Sequence, residues 1–235
     1  MSSFEDLSFS IEDFSGTVRL FPLPNLVLFP HVMQPLHIFE PRYRRLLEDA
    51  LAGDRLITMG LLAPGWENDY EGRPAVHPMA CLGRITTYHR LDDGTYNLLL
   101  LGVQRVRLIR ELAPSKPYRE AVVELCEDIC PVLETPAQGL IRSKLRDAFL
   151  RALPMLPEAR EQMDQLLASD VSLGVLTDVI SFMLDIDMLK KAGLLAERNV
   201  YRRAELLMEH LSAAASGQGV GKCGGMPFPP QFSVN

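Results

Sequence analysis

Several things are scarce in this 235-residue chain, and each scarcity excludes a class of protein. Its four cysteines, Cys81, Cys126, Cys130 and Cys223, are too few for a disulfide framework at this length. Apolar runs such as Leu98–Leu101 fall far short of the ~20 residues a membrane helix needs. The first residues carry neither the basic nor the apolar region of a secretory leader; they are acidic, with Glu5, Asp6, Glu12 and Asp13. These three shortages point to a soluble protein of the reducing cytoplasm with no membrane partner. A basic surplus is missing too: 24 Lys and Arg stand against 30 Asp and Glu, a net charge of −6. Nucleic-acid binders draw most of their affinity from phosphate contacts, so this balance makes nucleic acid an unlikely partner class. What the chain has is an ordinary globular composition, 47% apolar and 23% charged, which excludes wholesale disorder.

Catalytic signatures are also scarce. No H-E-x-x-H, G-x-S-x-G or G-x-G-x-x-G occurs. The stretch Ser216–Cys223 resembles a phosphate-binding loop, but Ser216 replaces the first glycine and Cys223 the magnesium-binding hydroxyl. Such a loop also needs a strand before it and a helix after it, whereas a helical pattern precedes and Met226-Pro227-Phe228-Pro229-Pro230 follows. His77, Cys81, Cys126 and Cys130 supply four zinc ligands on paper, yet without paired C-x-x-C knuckles. Cys126 falls in a strand pattern, where it reads as a small buried hydrophobe. Glu40, beside Pro41 at a helix start, reads as a dipole-complementing or capping residue. His31 reads as a loop residue and His37 as a hydrogen-bonded strand residue. The expectation is a protein that is not an enzyme and needs no cofactor or metal.

The chain's periodicity changes once. Short strand-like runs fill 17–130: Thr17–Phe21, Gln34–Ile38, Leu56–Leu62, Cys81–Leu91, Thr95–Leu101, Val103–Ile109 and Tyr118–Cys126. Asp92-Asp93-Gly94 signals a hairpin, and Gly102 a bulge or tight corner where a side chain would obstruct the chain. One helix interrupts the strands, opened by Pro41, with Tyr43, Leu46, Leu47 and Ala50 at helical spacing and Gly53 as its stop. The segment 63–78 reads as an inserted surface loop carrying Trp66 and Tyr70.

Beyond Pro131 the period becomes 3.6. Thr135-Pro136-Ala137-Gln138 is a capping box, followed by a stripe of Ile141, Leu145, Ala148, Phe149 and Ala152. Pro157 opens a shorter helix with Met163, Leu166 and Leu167. Ser172 caps another with Val175, Leu176, Val179, Ile180, Met183 and Leu184 inward. Asp185 or Asp187 caps a fourth, and Asn199 stands at the start of the last, striped by Val200, Ala204, Leu207, Met208 and Leu211. The predicted organisation is a β domain over 1–130, a small helical bundle over 131–215 and a flexible Gly/Pro-rich tail over 216–235.

The run Leu20-Phe21-Pro22-Leu23-Pro24-Asn25-Leu26-Val27-Leu28-Phe29-Pro30 places three prolines after Phe21 in an apolar stretch, which forces extended backbone. It continues as Gln34-Pro35-Leu36-His37-Ile38-Phe39-Glu40-Pro41-Arg42-Tyr43. This resembles the signature of the Lon N-terminal substrate-binding domain family, P-L-x-x-x-V-x-F-P followed by P-L-x-I-F-E-x-R-Y. Asp93-Gly94 with Gly102-Val103-Gln104-Arg105-Val106-Arg107, and then Pro117–Glu124, resemble later stretches of the family; the likeness is strong over 17–130 and weaker in the helices. It implies an α+β fold, a PUA-like, partly closed β-barrel with one inserted helix, followed by a small helical bundle. It also implies recognition of protein or unfolded-peptide clients. Lon's ATPase and protease modules are not in these 235 residues, so the resemblance implies a free-standing, non-catalytic quality-control adaptor that works with a separate protease.

Candidate contact residues for a peptide are Phe39, Arg42, Tyr43, Trp66 and Tyr70. Phe39 and Tyr43, with Phe29, can line an apolar groove, although Phe29 and Phe39 equally suit the core. Arg42 can bind a peptide carboxylate or pair with Glu40. Trp66 and Tyr70 stand in a polar loop on a rigid scaffold, a common place for recognition. A second reading is an RNA-binding PUA-like module using a basic sheet face of Arg84, Arg90, Arg105, Arg107, Arg110, Lys116 and Arg119. Client identity and oligomeric state are left open.

Overall fold

Strands and helices fall where hydrophobic periodicity changes, and a computed structural model describes residues 14–70, 72–131, 135–152 and 171–215. They form two compact units that divide between Cys126 and Glu127. The expected acidic leader through residue 13, the helix opened by Pro157 and the tail from Ser216 lie outside the described residues. So does the Thr135 side chain on which the capping box depends.

The first unit is one mixed sheet of six strands: β1 (Thr17–Leu23), β2 (Met33–Ile38), β3 (Leu56–Leu61), β4 (Met79–Arg90), β5 (Tyr96–Glu111) and β6 (Arg119–Cys126). Helix α1 (Pro41–Leu51) is inserted between β2 and β3. The order is β2-β5-β4-β3-β1-β6, and β6 also pairs with β5. Strand β5 takes β2 along its first half and β6 along its second, so the sheet partly closes on itself. The β1–β3 pair is parallel, an arrangement made possible because α1 carries the chain back across the sheet. Inside lie Leu20, Phe21, Phe29, Leu36, Leu46 and Leu47, each at most 1% exposed. Burial of each such side chain is worth about 1.5–3 kcal/mol. A second cluster gathers Val18, Leu56, Leu82, Val106 and Val123.

The two strands expected over 95–101 and 103–109 are a single strand, β5. Gly102 pairs with Gly83 while Gln104 pairs with Leu82, so Val103 is an extra residue absorbed as a bulge and the strand continues. A Cβ on Gly102 would lie 2.0 Å from the Phe29 carbonyl oxygen. The Gly102 amide donates to Val32 O and its carbonyl accepts from His31 N, both at 2.8 Å. The proline-rich segment is thereby stitched to the sheet. The hairpin at Asp92-Asp93-Gly94 closes as expected: Gly94 has φ 81°, and Asp93 accepts from Thr95 N. His37 is satisfied by Asn97 at 2.8 Å. Cys81 and Cys126 are buried.

Among the described residues, the second unit has α2 (Thr135–Ala152), α3 (Leu173–Met183), α4 (Met188–Ala196) and α5 (Val200–Ala215). Its caps are local. Ser172 Oγ accepts from Val175 N, Asp187 Oδ1 from Leu189 N, and Asn199 Oδ1 from Tyr201 N and Arg202 N. Each cap of this kind is worth about 1 kcal/mol. Helices α2 and α3 pack on α5 through Leu145, Phe149, Leu176, Ile180, Ala204, Leu207 and Leu211. Met183, expected inward on α3, is 37% exposed; Leu184, Ile180 and Leu176 define the buried line instead. Arg203 of α5 is fully buried, with its guanidinium bonded to both carboxylate oxygens of Asp128, to Thr177 Oγ1 and to Glu197 O.

Candidate functional site

The loop between β3 and β4 is held shut at its neck and shaped at its tip. The neck is the Leu62–Val76 bridge with Ala63 N donating to Ala75 O. At the tip Gly65 takes φ 93°, a left-handed conformation that glycine adopts without steric cost, and Trp66 then opens a short 3-10 turn, Trp66–Asn68. The Trp66 and Tyr70 rings meet edge to face, with centroids 5.7 Å apart. Both remain half-buried.

Opposite this loop stand the end of β1 and the residue that precedes Glu40. Leu23, Pro24 and Asn25 form one wall, Phe39 and Glu40 a second, Trp66 and Tyr70 a third. Together they line a cavity of about 380 Å³ that opens to solvent. That size is at the small end of the ~300–1,000 Å³ typical of ligand sites, enough for one or two side chains. The walls are apolar or aromatic apart from Asn25, the Glu40 carboxylate and the Tyr70 hydroxyl.

Glu40 ties the walls together. Its Oε1 accepts from Tyr70 Oη at 2.9 Å and its Oε2 from Arg42 Nε at 2.9 Å. The Arg42 guanidinium lies over the Tyr70 ring at 4.9 Å and over Tyr43 at 4.7 Å. Glu40 is the N-cap residue of α1, as its place beside Pro41 led one to expect, but its side chain makes no cap hydrogen bond, because both oxygens are engaged elsewhere. Burial, then the bond to the Glu40 carboxylate, pushes the Tyr70 hydroxyl up from its ordinary range, so it stays a neutral donor.

Of the five residues singled out in the sequence, Phe39, Trp66 and Tyr70 line the cavity. Phe39 is only half-buried, unlike Phe29, which is wholly inside. Arg42 pairs with Glu40 through Nε and braces the wall behind the cavity, while its buried Nη2 has no hydrogen-bond partner among the described residues. Tyr43 is 3% exposed, packs on Phe21 at 4.1 Å and donates to Pro22 O; it is a core residue beneath the site. Burial pushes its hydroxyl well up. Leu23, Pro24 and Asn25 were missed. The signal for them was the density of prolines, which keeps Pro24 and Asn25 out of regular pairing while Leu23 still accepts from Leu62 N.

The basic stretch does not form a bare face. Arg105 is 2% exposed. Arg107 pairs with Glu124, Lys116 with Asp49 at 3.2 Å, and Arg119 with Glu111. These ion pairs give the RNA reading no support.

The fold and the sequence agree on what class of domain this is. The structure is similar to the Lon N-terminal domain protein of Xanthomonas campestris, with TM-score 0.60 and 25% identity, covering 82% of this chain and 97% of that one. It shares its fold with the N-terminal domain of the Mycobacterium avium complex Lon protease: TM-score 0.64, 13% identity, 83% and 98% covered. The family model of the ATP-dependent protease La (LON) substrate-binding domain matches residues 17–213. The chain belongs to that family, whose matched region is a non-catalytic domain. Among curated proteins it is 28% identical to Lon protease 2 of Myxococcus xanthus over 203 residues, 86% of this chain and 24% of that protein. It is 27% identical to the Lon protease of Dictyoglomus thermophilum over 202 residues, 86% of this chain and 25% of that protein. The chain thus spans about a quarter of the relatives' length. Among the described residues, no helix is long and apolar enough to cross a membrane.

Proposed function

We propose that this domain holds polypeptide clients by seating apolar side chains between Phe39, Trp66 and Tyr70, and that it serves as a quality-control adaptor for a separate protease in the reducing cytoplasm. The observation that carries the reading is the convergence of three half-buried aromatic rings, from two distant segments, on one open cavity in a substrate-binding domain. Trp and Tyr give large contact area with few rotatable bonds, and such anchors dominate binding energy.

The cavity's size also bounds the affinity. One buried apolar side chain contributes about 1.5–3 kcal/mol, and association itself costs at least ~4 kcal/mol. Micromolar binding needs about −8 kcal/mol, so a single seated side chain gives weak, quickly reversible capture. Such capture suits a module that samples clients and releases them.

The test is titration of a permanently unfolded, alkylated polypeptide against the wild type, Trp66→Ala/Tyr70→Ala, and Ile129→Ala in the helical unit as a control. The double variant should bind about tenfold to thirtyfold more weakly, as loss of an aromatic anchor does. Equal binding by all three proteins would place the client elsewhere. Addition of the cognate protease then tests the adaptor role, since bound clients should be degraded faster than free ones.

A further inference from the structure

The cavity's rings have the chemistry that recognises polyproline II chains. Aromatic-lined grooves accept proline-rich segments, because prolines pack flat on rings and the helix is already formed before binding. The carbonyls of a polyproline II chain make no internal hydrogen bonds, so they seek donors on the groove. Two are present. The Trp66 indole N–H and the Asn25 side-chain amide have no hydrogen bond among the described residues. The Tyr70 ring is fixed by its bond to Glu40, so little order remains to be imposed when a ligand arrives.

The chain's own sequence contains such a ligand. Met226-Pro227-Phe228-Pro229-Pro230-Gln231-Phe232 carries three prolines in seven residues, in P-x-x-P spacing, with two aromatics and no charge. A peptide of this sequence favours polyproline II, because proline fixes φ at about −65°. Between it and the end of α5 at Ala215 lie ten residues, 216–225, five of them glycine. A Gly-rich linker of that length has an r.m.s. span of roughly 18 Å, and a short flexible linker that spans its two sites gives about millimolar effective concentration. Lys222, the one charged residue after Glu209 and His210 in this part of the sequence, is opposite in charge to the exposed Glu67 and Asp69 of the cavity loop.

We propose that the chain's own segment Met226–Phe232 occupies the Phe39–Trp66–Tyr70 cavity within the same molecule and that clients must displace it. The inference rests on this cavity being the polypeptide site. It makes the tail a tethered competitor. A competitor at about 1 mM weakens an added ligand by a factor of 1 + (1 mM/Kd), about tenfold when the segment's own Kd is about 100 µM.

Trp66 is the only tryptophan, so its emission reports on the cavity directly. The full-length chain carrying F228S, P229S and P230S is compared with wild type by Trp66 emission, by acrylamide quenching and by affinity for the unfolded polypeptide. The variant should emit further to the red, quench more readily and bind the client about tenfold more tightly. Adding the free 226–232 heptapeptide should restore the wild-type emission and weaken the client again. Identical emission and client affinity in the two proteins overturn the proposal. So does a difference that grows with protein concentration, which would place the segment in the cavity of a second copy. A client that needs Trp66 and Tyr70 but ignores the tail substitutions removes this inference and leaves the polypeptide-binding reading standing; a client that binds neither protein removes both.

Discussion

The buried guanidinium of Arg203 gives the sharpest quantitative expectation. It is 0% exposed, and its Nη1 and Nη2 reach Asp128 at 3.0 and 2.6 Å, while Nη1 also donates to Glu197 O and Nε to Thr177 Oγ1. Its Nε also stands 3.5 Å from Asp178 Oδ1, on a carboxylate that is itself 0% exposed. Arg203→Met keeps most of the stem and deletes the charge. Asp128 is 28% exposed and can hydrate, but Asp178 cannot. Removing the cation from such a buried cluster costs about 3–5 kcal/mol, because the buried carboxylate loses the positive charge beside it. Set against the ~5–15 kcal/mol that holds an ordinary domain, this is a large share. In urea unfolding followed by helical circular dichroism, Arg203→Met should lower the midpoint with little change in slope. Removing the buried Asp178 carboxylate as well, in Arg203→Met/Asp178→Leu, should recover part of the loss, since the one charge then left in the cluster, Asp128, is partly exposed. A cost below about 1 kcal/mol, or a double variant no more stable than Arg203→Met, would refute the reasoning.

Two further expectations concern other parts of the fold. Gly102→Ala places a methyl 2.0 Å from the Phe29 carbonyl and strains the two backbone bonds made there, so it should cost about 2–4 kcal/mol in the same unfolding assay; a loss under about 1 kcal/mol would show that the segment 29–32 yields easily. Lys191 is 6% exposed, and burial lowers its pKa to about 8, against the raising effect of Asp185, while its Nζ donates to Phe182 O. The folded state therefore releases the proton at lower pH than the unfolded chain does, so stability rises as pH climbs from about 8 to about 10.5, by at most about 3 kcal/mol. Lys191→Met should remove this rise, and a wild-type curve parallel to the variant's over that window would contradict it.

The features legible in the sequence were those made by neighbours. Ser172, Asp185 or Asp187, and Asn199 announced helix starts because a cap bonds to backbone two or three residues away, and of the two aspartates Asp187 makes the bond. Gly102 announced a close approach, although not that Phe29 makes it. Trp66 and Tyr70 stood out as aromatics in a polar loop. The unread part was long-range. Glu40 meets Tyr70 thirty positions away, and no local pattern distinguishes that use of its carboxylate from a helix cap. Arg107 and Arg119 looked like a basic face because their partners, Glu124 and Glu111, become neighbours only through cross-strand pairing. Tyr43 had the spacing of a core position and the chemistry of a contact residue, and packing decided between them.

How the sheet ends bears on how a polypeptide can be held. Among the described strands, β2 has one strand neighbour, β5, and so offers the edge on which an extended chain could pair. Its middle is blunted. Pro35 has no N–H to donate, and its carbonyl already accepts from Gln34 Nε2 at 2.7 Å. Proline on an edge strand is a common means of preventing strand addition, since one missing donor interrupts the ladder on which such pairing depends. At the cavity, by contrast, the rings of Phe39, Trp66 and Tyr70 are half-buried, and Tyr70 is held in place by Glu40 and Arg42. Backbone pairing is nearly blind to sequence, whereas a cavity for one or two side chains discriminates by size and apolar character. With the cavity as the client site proposed above, a blunted edge and an aromatic cavity make selection by side chain the expected mode, so substitution at Trp66 should abolish that selection and substitution at Pro35 should leave it unchanged.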